Sequence, residues 1–247
     1  MSRTTVVTGS ASGIGQATAQ LLRERGDTVI GVDLRDAEVT ADLSTAEGRA
    51  AAVAAITAQS GGTVDGVVAA AGISAPKSLT VAVNFFGVTA LLEGMLPLLG
   101  QSRAPRAVAI SSMATLQPNS PDLVNAMLAG HETEALRLGD ALAEQGPETG
   151  YLNYPSSKRA LSRWIRRESI TPAWAGAGIP LNAVAPGTVT SPMTQELLAT
   201  EEGRRLVDAS VPMPLNGHSD PVVIARLLAW LVSEENSHLA GQTIYID

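Results

Sequence analysis

The sequence of 247 residues contains no cysteine and only three histidines, His131, His218 and His238. The absence of cysteine excludes disulfide bonds, thiolate nucleophiles and cysteine-ligated metal sites. The histidines lie far apart along the chain, so a metal centre built from several of them is not expected either. We therefore predict no metal site.

Basic residues and long apolar runs are also scarce. The chain has 17 basic and 24 acidic residues, a net charge of −7. Because nucleic acids are bound by basic surfaces, this balance disfavours a nucleic-acid partner. No uninterrupted apolar stretch approaches the roughly 20 residues that cross a bilayer, and no signal-peptide core follows the first four residues. We expect a cytoplasmic protein with no membrane partner.

Hydrophobic residues make up 45% of the chain and occur in short runs that alternate with longer segments of helical period. This alternation is typical of a parallel sheet with helices on both faces. The predicted strands are 4–8, 28–32, 66–70, 107–111, 181–185 and 242–246. The predicted helices are 14–25, an alanine-rich helix opened by a capping box of Ser44 and Glu47 and running to about Gln59, 78–99, 156–170 and 221–233. With no repeat and no linker, we predict an α/β fold, a doubly wound Rossmann-like parallel sheet in a single domain over 1–247.

One segment does not fit the alternation. Residues 114–150 contain three prolines around a helix-prone stretch at 121–145, with no strand between them. We interpret the segment as a helical insertion with a break at Gly130 and His131. Its apolar positions are Leu123, Val124, Met127, Leu128, Leu138 and Leu142. Because short helices need an apolar surface to cover, we expect them to pack on the outer face of the helices near 78–99 and 156–170.

A glycine-rich turn, TGSASGIG at residues 8–15, follows the first predicted strand and precedes an amphipathic helix. Glycines let the backbone approach a pyrophosphate closely, and the N–H groups and dipole of the next helix then stabilise its charge. The alternative is an ordinary connection between a strand and a helix. The cofactor-binding residues predicted here are Gly9, Ser12, Gly13, Ile14 and Gly15.

Asp33 stands at the end of the second predicted strand. A carboxylate at this position can accept hydrogen bonds from the ribose hydroxyls of NAD, and it repels the 2′-phosphate of NADP. Arg35 offers the alternative of meeting that phosphate. Since the glycine turn holds no basic residue, we predict NAD as the cofactor.

Tyr154 and Lys158 are four residues apart, so a helix places them on one face. A phenol with a pKa near 10 is a poor base at neutral pH unless a nearby cation stabilises the phenolate. The chain has only one other lysine, Lys77, although a surface ion pair could equally use arginine. This spacing predicts an acid/base pair, and the alternative is a solvated helix start. Tyr151 is the poorer candidate because Pro155 stands four residues after it.

Further motifs follow along the chain, namely Ala70-Ala71-Gly72, Asn84 within VNFFG, Ser111-Ser112 and Pro186-Gly187. Together with the glycine turn and the Tyr154/Lys158 pair, they resemble the short-chain dehydrogenase/reductase family in order and over nearly the whole chain. Residues 32–49 further resemble the bacterial 3α-hydroxysteroid dehydrogenase/carbonyl reductase subfamily. That subfamily also carries an extra segment between its catalytic serine and tyrosine.

The resemblance implies a role for each motif. Ser112 would bind the substrate oxygen, Tyr154 would exchange its proton, Lys158 would lower the tyrosine pKa and hold ribose, and Asn84 would hold a water that links the lysine to solvent. From the residues alone, Ser111 and Ser112 are equally well turn formers, and Asn84 can bond a backbone carbonyl. The resemblance implies cofactor contacts from Asp42, Leu43, Ala70, Ala71, Gly72, Lys158, Pro186, Gly187, Val189 and Ser191.

These residues predict an NAD-dependent oxidoreductase that acts on a small hydrophobic alcohol or ketone. The apolar residues of 188–216 suit a 3α-hydroxysteroid or another bulky carbonyl compound, although a helix packing face explains them equally well. The alternatives are a general secondary-alcohol or cyclic-ketone dehydrogenase and a non-catalytic nucleotide-sensing protein. We expect a homo-oligomer, and favour a dimer because the insertion would cover the helices through which tetramers of this family associate.

Overall fold

The computed structural model describes residues 2–247, which build one seven-stranded sheet around which the helices pack. All neighbouring strands pair in parallel, in the order β3-β2-β1-β4-β5-β6-β7. The strands are β1 Thr4–Thr8, β2 Thr28–Asp33, β3 Val39–Thr40, β4 Gly66–Ala69, β5 Arg106–Ile110, β6 Leu181–Pro186 and β7 Thr243–Ile246. The predicted fold class is confirmed.

Helices cover both faces of the sheet. They are α1 Gly13–Glu24, α2 Ala46–Ser60, α3 Leu79–Val81, α4 Val88–Gly94, α5 Leu96–Leu99, α6 Pro121–Leu128, α7 Glu132–Ala143, α8 Pro147–Tyr151, α9 Asn153–Glu168, α10 Gln195–Ala199, α11 Glu201–Ser210 and α12 Pro221–Leu231. On one face, Leu22 of α1 and Leu228 of α12 share a core with Val7 and Val68. On the other, Ile56, Leu91 and Ile165 form a larger core. Both faces are apolar because parallel strands are buried on each side.

The structure differs from the sequence prediction in several places. The cap of α2 is Thr45, whose side chain accepts a hydrogen bond from the backbone N–H of Gly48, so the predicted Ser44/Glu47 capping box is wrong. The two-residue strand β3 is too short for periodicity to reveal. Helix α9 begins at Asn153 rather than near 156, so Tyr154 and Lys158 both lie in it.

The predicted helix at 78–99 is divided into α3, a π-helical turn over Ala82–Gly87, α4 and α5. The segment Leu79–Leu99 is long and apolar enough to span a membrane by composition, but 67% of its most apolar window is buried inside the protein. Its apolar residues therefore serve as core. Leu91 and Leu92, for example, are fully enclosed.

The insertion folds as α6, α7 and α8, with the break at Gly130, which has a φ of +74°. Helix α6 packs on α9, and α7 reaches α3 and the π-helical turn. Leu123 and Met127 are fully buried in this contact. Arg49 of α2 binds both carboxylate oxygens of Glu132 at 2.9 Å, which ties the start of α7 to the main body. The insertion therefore packs on α9 and on the first part of the predicted helix at 78–99, whereas α4 and α5 make no comparable contact with it.

Candidate active site

The strand order reverses between β1 and β4, and a cleft opens there at the carboxyl ends of the strands. Such a switch point is the usual ligand site of a doubly wound sheet. The cleft encloses about 350 Å³. All of the predicted cofactor-binding residues line it, together with Ser112, Tyr154 and Lys158, whereas Asn84 lies behind its wall.

The glycine turn at one end of the cleft depends on the absence of side chains. Gly9 has a φ of +67°, and a Cβ on it would lie 3.0 Å from backbone atoms of Ala71. A Cβ on Gly15 would lie within 2.1 Å of the Gly9 carbonyl oxygen. Ser12 is the N-cap of α1 but makes no side-chain hydrogen bond to its first turn within the described chain. The N–H groups of that turn are therefore available to an anion in the cleft.

Asp33 is fixed at the end of β2 with its carboxylate toward the turn. One carboxylate oxygen accepts the backbone N–H of Ala11 at 2.9 Å and the other accepts that of Leu34 at 2.7 Å. The adjacent Arg35 is exposed and lies outside the lining of the cleft. Asp42 lines the next part of the wall, and hydrogen bonds from Ser44 hold the pKa of its carboxyl below the ordinary value. This end of the cleft is thus bordered by two carboxylates.

Lys158 and Tyr154 lie at the opposite end, on the first turns of α9. The ammonium group of Lys158 is buried, donates to the Ile110 carbonyl oxygen at 2.9 Å and lies 5.8 Å from the centre of the Tyr154 ring. Burial lowers the pKa of Lys158 to about 8. Burial also raises the pKa of Tyr154, and a hydrogen bond with Ser112 acts in the opposite direction. Both groups are therefore held in a poorly solvated space, where burial disfavours the charged form of each.

The two serines that follow β5 have different surroundings. The Ser112 hydroxyl accepts the backbone N–H of Ala114 at 3.1 Å, begins a 3₁₀ turn over Met113–Leu116 and faces Tyr154. The Ser111 hydroxyl instead bonds Ser162 at 2.7 Å and the Lys158 carbonyl oxygen at 3.3 Å. Ser112 is thus a turn former and a cleft residue at once, whereas Ser111 holds β5 to α9.

Asn84 sits in the π-helical turn and is fully buried. Its side chain accepts the Ile73 N–H and donates to the Ile73 carbonyl oxygen, both at 2.9 Å. It also donates to the Ser157 hydroxyl at 3.2 Å, which in turn donates to the Tyr154 carbonyl oxygen at 2.7 Å. The backbone-bonding alternative for Asn84 is therefore present. The same side chain links the loop after β4 to the helix of Tyr154.

Several lining residues escaped sequence reasoning, among them Ile73, Val83 and Thr194. The hydroxyl of Thr194 donates to the Val189 carbonyl oxygen at 2.6 Å and holds the loop after β6 closed on itself. A threonine shortly after a proline-rich turn is the local signal that could have indicated this contact. Ile73 and Val83 carry no such signal, because the loop after β4 and the π-helical turn that hold them are placed by the tertiary fold.

Comparisons with known proteins agree with this geometry. Residues 9–247 match the family model described as enoyl-(acyl carrier protein) reductase. The 3-alpha-hydroxysteroid dehydrogenase/carbonyl reductase of Comamonas testosteroni is 38% identical over 98% of this chain and 94% of its own length. The coniferyl-alcohol dehydrogenase of a Pseudomonas species is 28% identical over 98% of this chain and 94% of its own.

A solved structure is also similar throughout. The crystal structure of the 3-alpha-hydroxysteroid dehydrogenase from Pseudomonas sp. B-0831 complexed with NADH is 40% identical and superposes with a TM-score of 0.87. The match covers 99% of this chain and 95% of that one. The similarity therefore includes the insertion as well as the sheet.

Proposed function

The chain belongs to the short-chain dehydrogenase/reductase family of oxidoreductases, and from this premise we propose that it transfers a hydride between NAD(H) and a secondary alcohol or ketone. The observation that carries the proposal is the meeting of Tyr154, Lys158 and Ser112 in one cleft with the glycine turn. An acid/base phenol beside a dinucleotide-binding turn serves hydride transfer to or from a carbon that bears an oxygen.

The residues of the cleft fit NAD. The uncapped first turn of α1 suits the pyrophosphate, and the glycines leave the backbone close enough to reach it. Asp33 suits the ribose hydroxyls at the adenosine end, with Asp42 and Leu43 beside the adenine. Lys158 suits the ribose next to the nicotinamide. The remaining residues that would contact the cofactor are Ala70, Ala71 and Gly72 on one wall and Pro186, Gly187, Val189 and Ser191 on the other.

The protein's part in the reaction is to bind one oxygen atom and to move one proton. Ser112 orients the substrate oxygen, and Tyr154 gives it a proton during reduction or accepts one during oxidation. Lys158 stabilises the phenolate that forms on Tyr154, because a positive charge at this distance favours the charged form. When bound, the nicotinamide supplies or accepts the hydride.

Asn84 supports the proton path in this proposal. Its side chain holds the Ile73 loop beside Gly72, where an added Cβ would lie 3.4 Å from the Lys158 ammonium nitrogen. A water bound at this backbone would connect Lys158 to solvent and return the proton to Tyr154. The close packing of Asn84, Gly72 and Lys158 supports this role.

The proposed substrate is a small hydrophobic alcohol or ketone, with a 3α-hydroxysteroid or another bulky carbonyl compound as the finer proposal. Met193 is exposed on the loop after β6 and lines the cleft, and Leu197 is exposed on α10, which follows that loop. Apolar residues beside the catalytic oxygen site favour an apolar substrate. The printed names of the similar proteins support the same class.

We also propose that the chain is one cytoplasmic domain that assembles as a dimer. The insertion packs on α9, α3 and the π-helical turn, which leaves less of that face for a second copy. Light scattering should then give twice the mass of 25.5 kDa. A tetramer that buries α4 and α9 against another copy would contradict the proposal.

The deciding experiment is a turnover assay with purified protein, a panel of secondary alcohols and ketones, and either NAD or NADP. We expect turnover with a larger kcat/KM for NAD, and we expect Asp33→Ala to narrow that difference mainly by weakening NAD. Alcohol oxidation should rise with pH, because the phenolate is the base in that direction. NADH binding without turnover of any panel member would favour the nucleotide-sensing alternative.

A further inference from the structure

The two ends of the insertion meet beside the catalytic tyrosine. The first end leaves Ser112 through the 3₁₀ turn and reaches Gln117, and the second returns through α8, which ends at Tyr151. The Tyr151 hydroxyl donates to the Gln117 side-chain oxygen across this junction at 3.4 Å. The insertion therefore touches the active site at both of its ends, although its middle lies far from it.

Tyr151 lies against Tyr154 with one part of its ring open to solvent. The two ring centres are 6.0 Å apart and the ring planes differ by 32°. Tyr151 is 41% exposed. Burial of the remainder, together with Tyr154, raises the pKa of the Tyr151 phenol to about 12, so this phenol is protonated at neutral pH.

The backbone that carries Tyr151 is held from two sides. Gly150 packs so closely that an added Cβ would lie 2.9 Å from the Pro76 carbonyl oxygen. The side-chain amide of Asn153 donates to the carbonyl oxygens of Gly150 at 2.9 Å and Gly139 at 3.0 Å. An exposed ring on a fixed backbone loses little entropy when a ligand packs on it.

The enclosed part of the cleft is small for both a dinucleotide and a bulky substrate. Its 350 Å³ lies near the lower end of the range for ligand sites and extends from the glycine turn to Tyr154. A bound dinucleotide would take up much of this space, so a substrate with several rings would extend beyond it. Two exposed apolar side chains lie near its end: Tyr151, whose ring lies against the Tyr154 ring, and Met193, which lines the cleft.

We propose that Tyr151 is a specificity residue of the substrate site, whose exposed ring binds the part of a multi-ring alcohol or ketone that projects beyond the reacting carbon. This inference rests on the proposed function. A flat apolar ring system can pack on the tyrosine ring while its oxygen remains at Ser112 and Tyr154. A one-ring substrate ends before it reaches Tyr151.

The hydroxyl of Tyr151 adds a weaker, polar element. Its contact with Gln117 is long for an O–H···O hydrogen bond, so both groups retain hydrogen-bonding capacity. A polar substituent at the far end of the substrate can use that capacity. The ring should therefore account for most of the recognition and the hydroxyl for a smaller share.

The test compares oxidation of a four-ring alcohol, androsterone, with that of one-ring alcohols, cyclohexanol and 4-methylcyclohexanol, in the presence of NAD. Tyr151→Ala should lower kcat/KM for androsterone about tenfold, mainly through KM, and change the one-ring values less than twofold. Tyr151→Phe keeps the ring and should lose about twofold to threefold on androsterone. Ile170→Ala, which removes an exposed apolar side chain elsewhere, should change neither value.

The outcomes separate the inference from the function on which it rests. An equal loss on one-ring and four-ring alcohols in Tyr151→Ala would show a structural effect on Tyr154 and overturn the inference. So would unchanged kinetics on androsterone, or a wild type that oxidises only the one-ring alcohols. A wild type that oxidises none of the three alcohols, nor any other member of the panel, would overturn the proposed function itself.

Discussion

The two ends of the parallel sheet both bury positive charge and surround it differently. At the amino ends of the strands, the Arg106 guanidinium donates to the carbonyl oxygens of Asn236 at 2.6 Å and Pro105 at 2.7 Å. Arg3 nearby donates to three carbonyl oxygens within 3.0 Å. At the carboxyl ends, the buried ammonium of Lys158 has one protein acceptor within the described chain, the Ile110 carbonyl oxygen.

The number of hydrogen-bond acceptors distinguishes a buried charge that stabilises the fold from one that takes part in the proposed reaction. Burial lowers the pKa of Arg106, but a guanidinium starts so high that it stays charged, and its fork of donors fits several carbonyls. A lysine is more easily deprotonated, and burial with a single acceptor brings the pKa of Lys158 to about 8. Unused hydrogen-bonding capacity at the carboxyl ends is thus available to a cofactor and a substrate.

The largest expected effect comes from a substitution of Tyr154, whose phenolate Lys158 would stabilise. Tyr154→Phe removes the transferable proton and leaves the ring in place, so we expect kcat to fall roughly 10²- to 10⁴-fold. NADH affinity, measured by fluorescence titration, should change little. Retention of more than a few per cent of wild-type kcat would mean that another group exchanges the proton.

The second prediction concerns the amino ends of the strands. Arg106→Met leaves several buried carbonyl oxygens without a donor, so the free energy of unfolding should fall by about 3 kcal/mol in urea. The kcat of the folded enzyme should not change. Arg103→Met is the matched control, because Arg103 is exposed, and it should stay within about 0.5 kcal/mol of wild type. If the two substitutions lowered the free energy of unfolding equally, the buried charge of Arg106 would not have the stabilising role that distinguishes it from Lys158.

The smallest effect is a dependence of stability on pH. Lys158 has a pKa of about 8 in the folded chain and near 10.4 when unfolded, so between these values the unfolded chain binds more protons. The free energy of unfolding should therefore rise with pH, by about 1 kcal/mol per unit between pH 8 and 10. Tyr154 opposes this rise only as the pH approaches 10, because burial raises the pKa of its phenol in the folded chain while the unfolded phenol begins to ionise near its ordinary pKa of 10. Lys158→Met should abolish most of the rise, and a wild-type curve that is flat or falls would refute the assignment.

Much of the fold could be predicted because its strands are short, apolar and regularly spaced. Val6, Val7, Val67 and Val68 mark two strands that are buried on both faces, and such runs have few alternatives. The candidate site was predictable for a related reason, since the glycine turn and the Tyr154/Lys158 pair are local in sequence. Such local patterns can be recognised in the sequence without knowledge of the tertiary contacts.

Features that depend on distant parts of the chain could not be predicted. The π-helical turn around Asn84 follows from bonds to Ile73 in a separate loop, so helical period alone suggested a continuous helix. The contact of Tyr151 with Gln117 joins residues 34 positions apart, and that of Arg106 with Asn236 joins residues 130 apart. Such contacts exist only after the sheet has formed.

The bond from Arg3 to the carbonyl oxygen of Val232 spans 229 positions of the chain and has a consequence for biosynthesis. During translation, the segment before β1 emerges early, yet its partner leaves the ribosome only after the whole sheet except β7 has been made. Until then the Arg3 side chain lacks one of its carbonyl acceptors, and the contact at the amino ends of the strands is incomplete. The pairing of parallel strands that lie far apart in the sequence is also slow. The nascent chain therefore passes through a long stage in which it is sensitive to aggregation and in which protection by chaperones matters most.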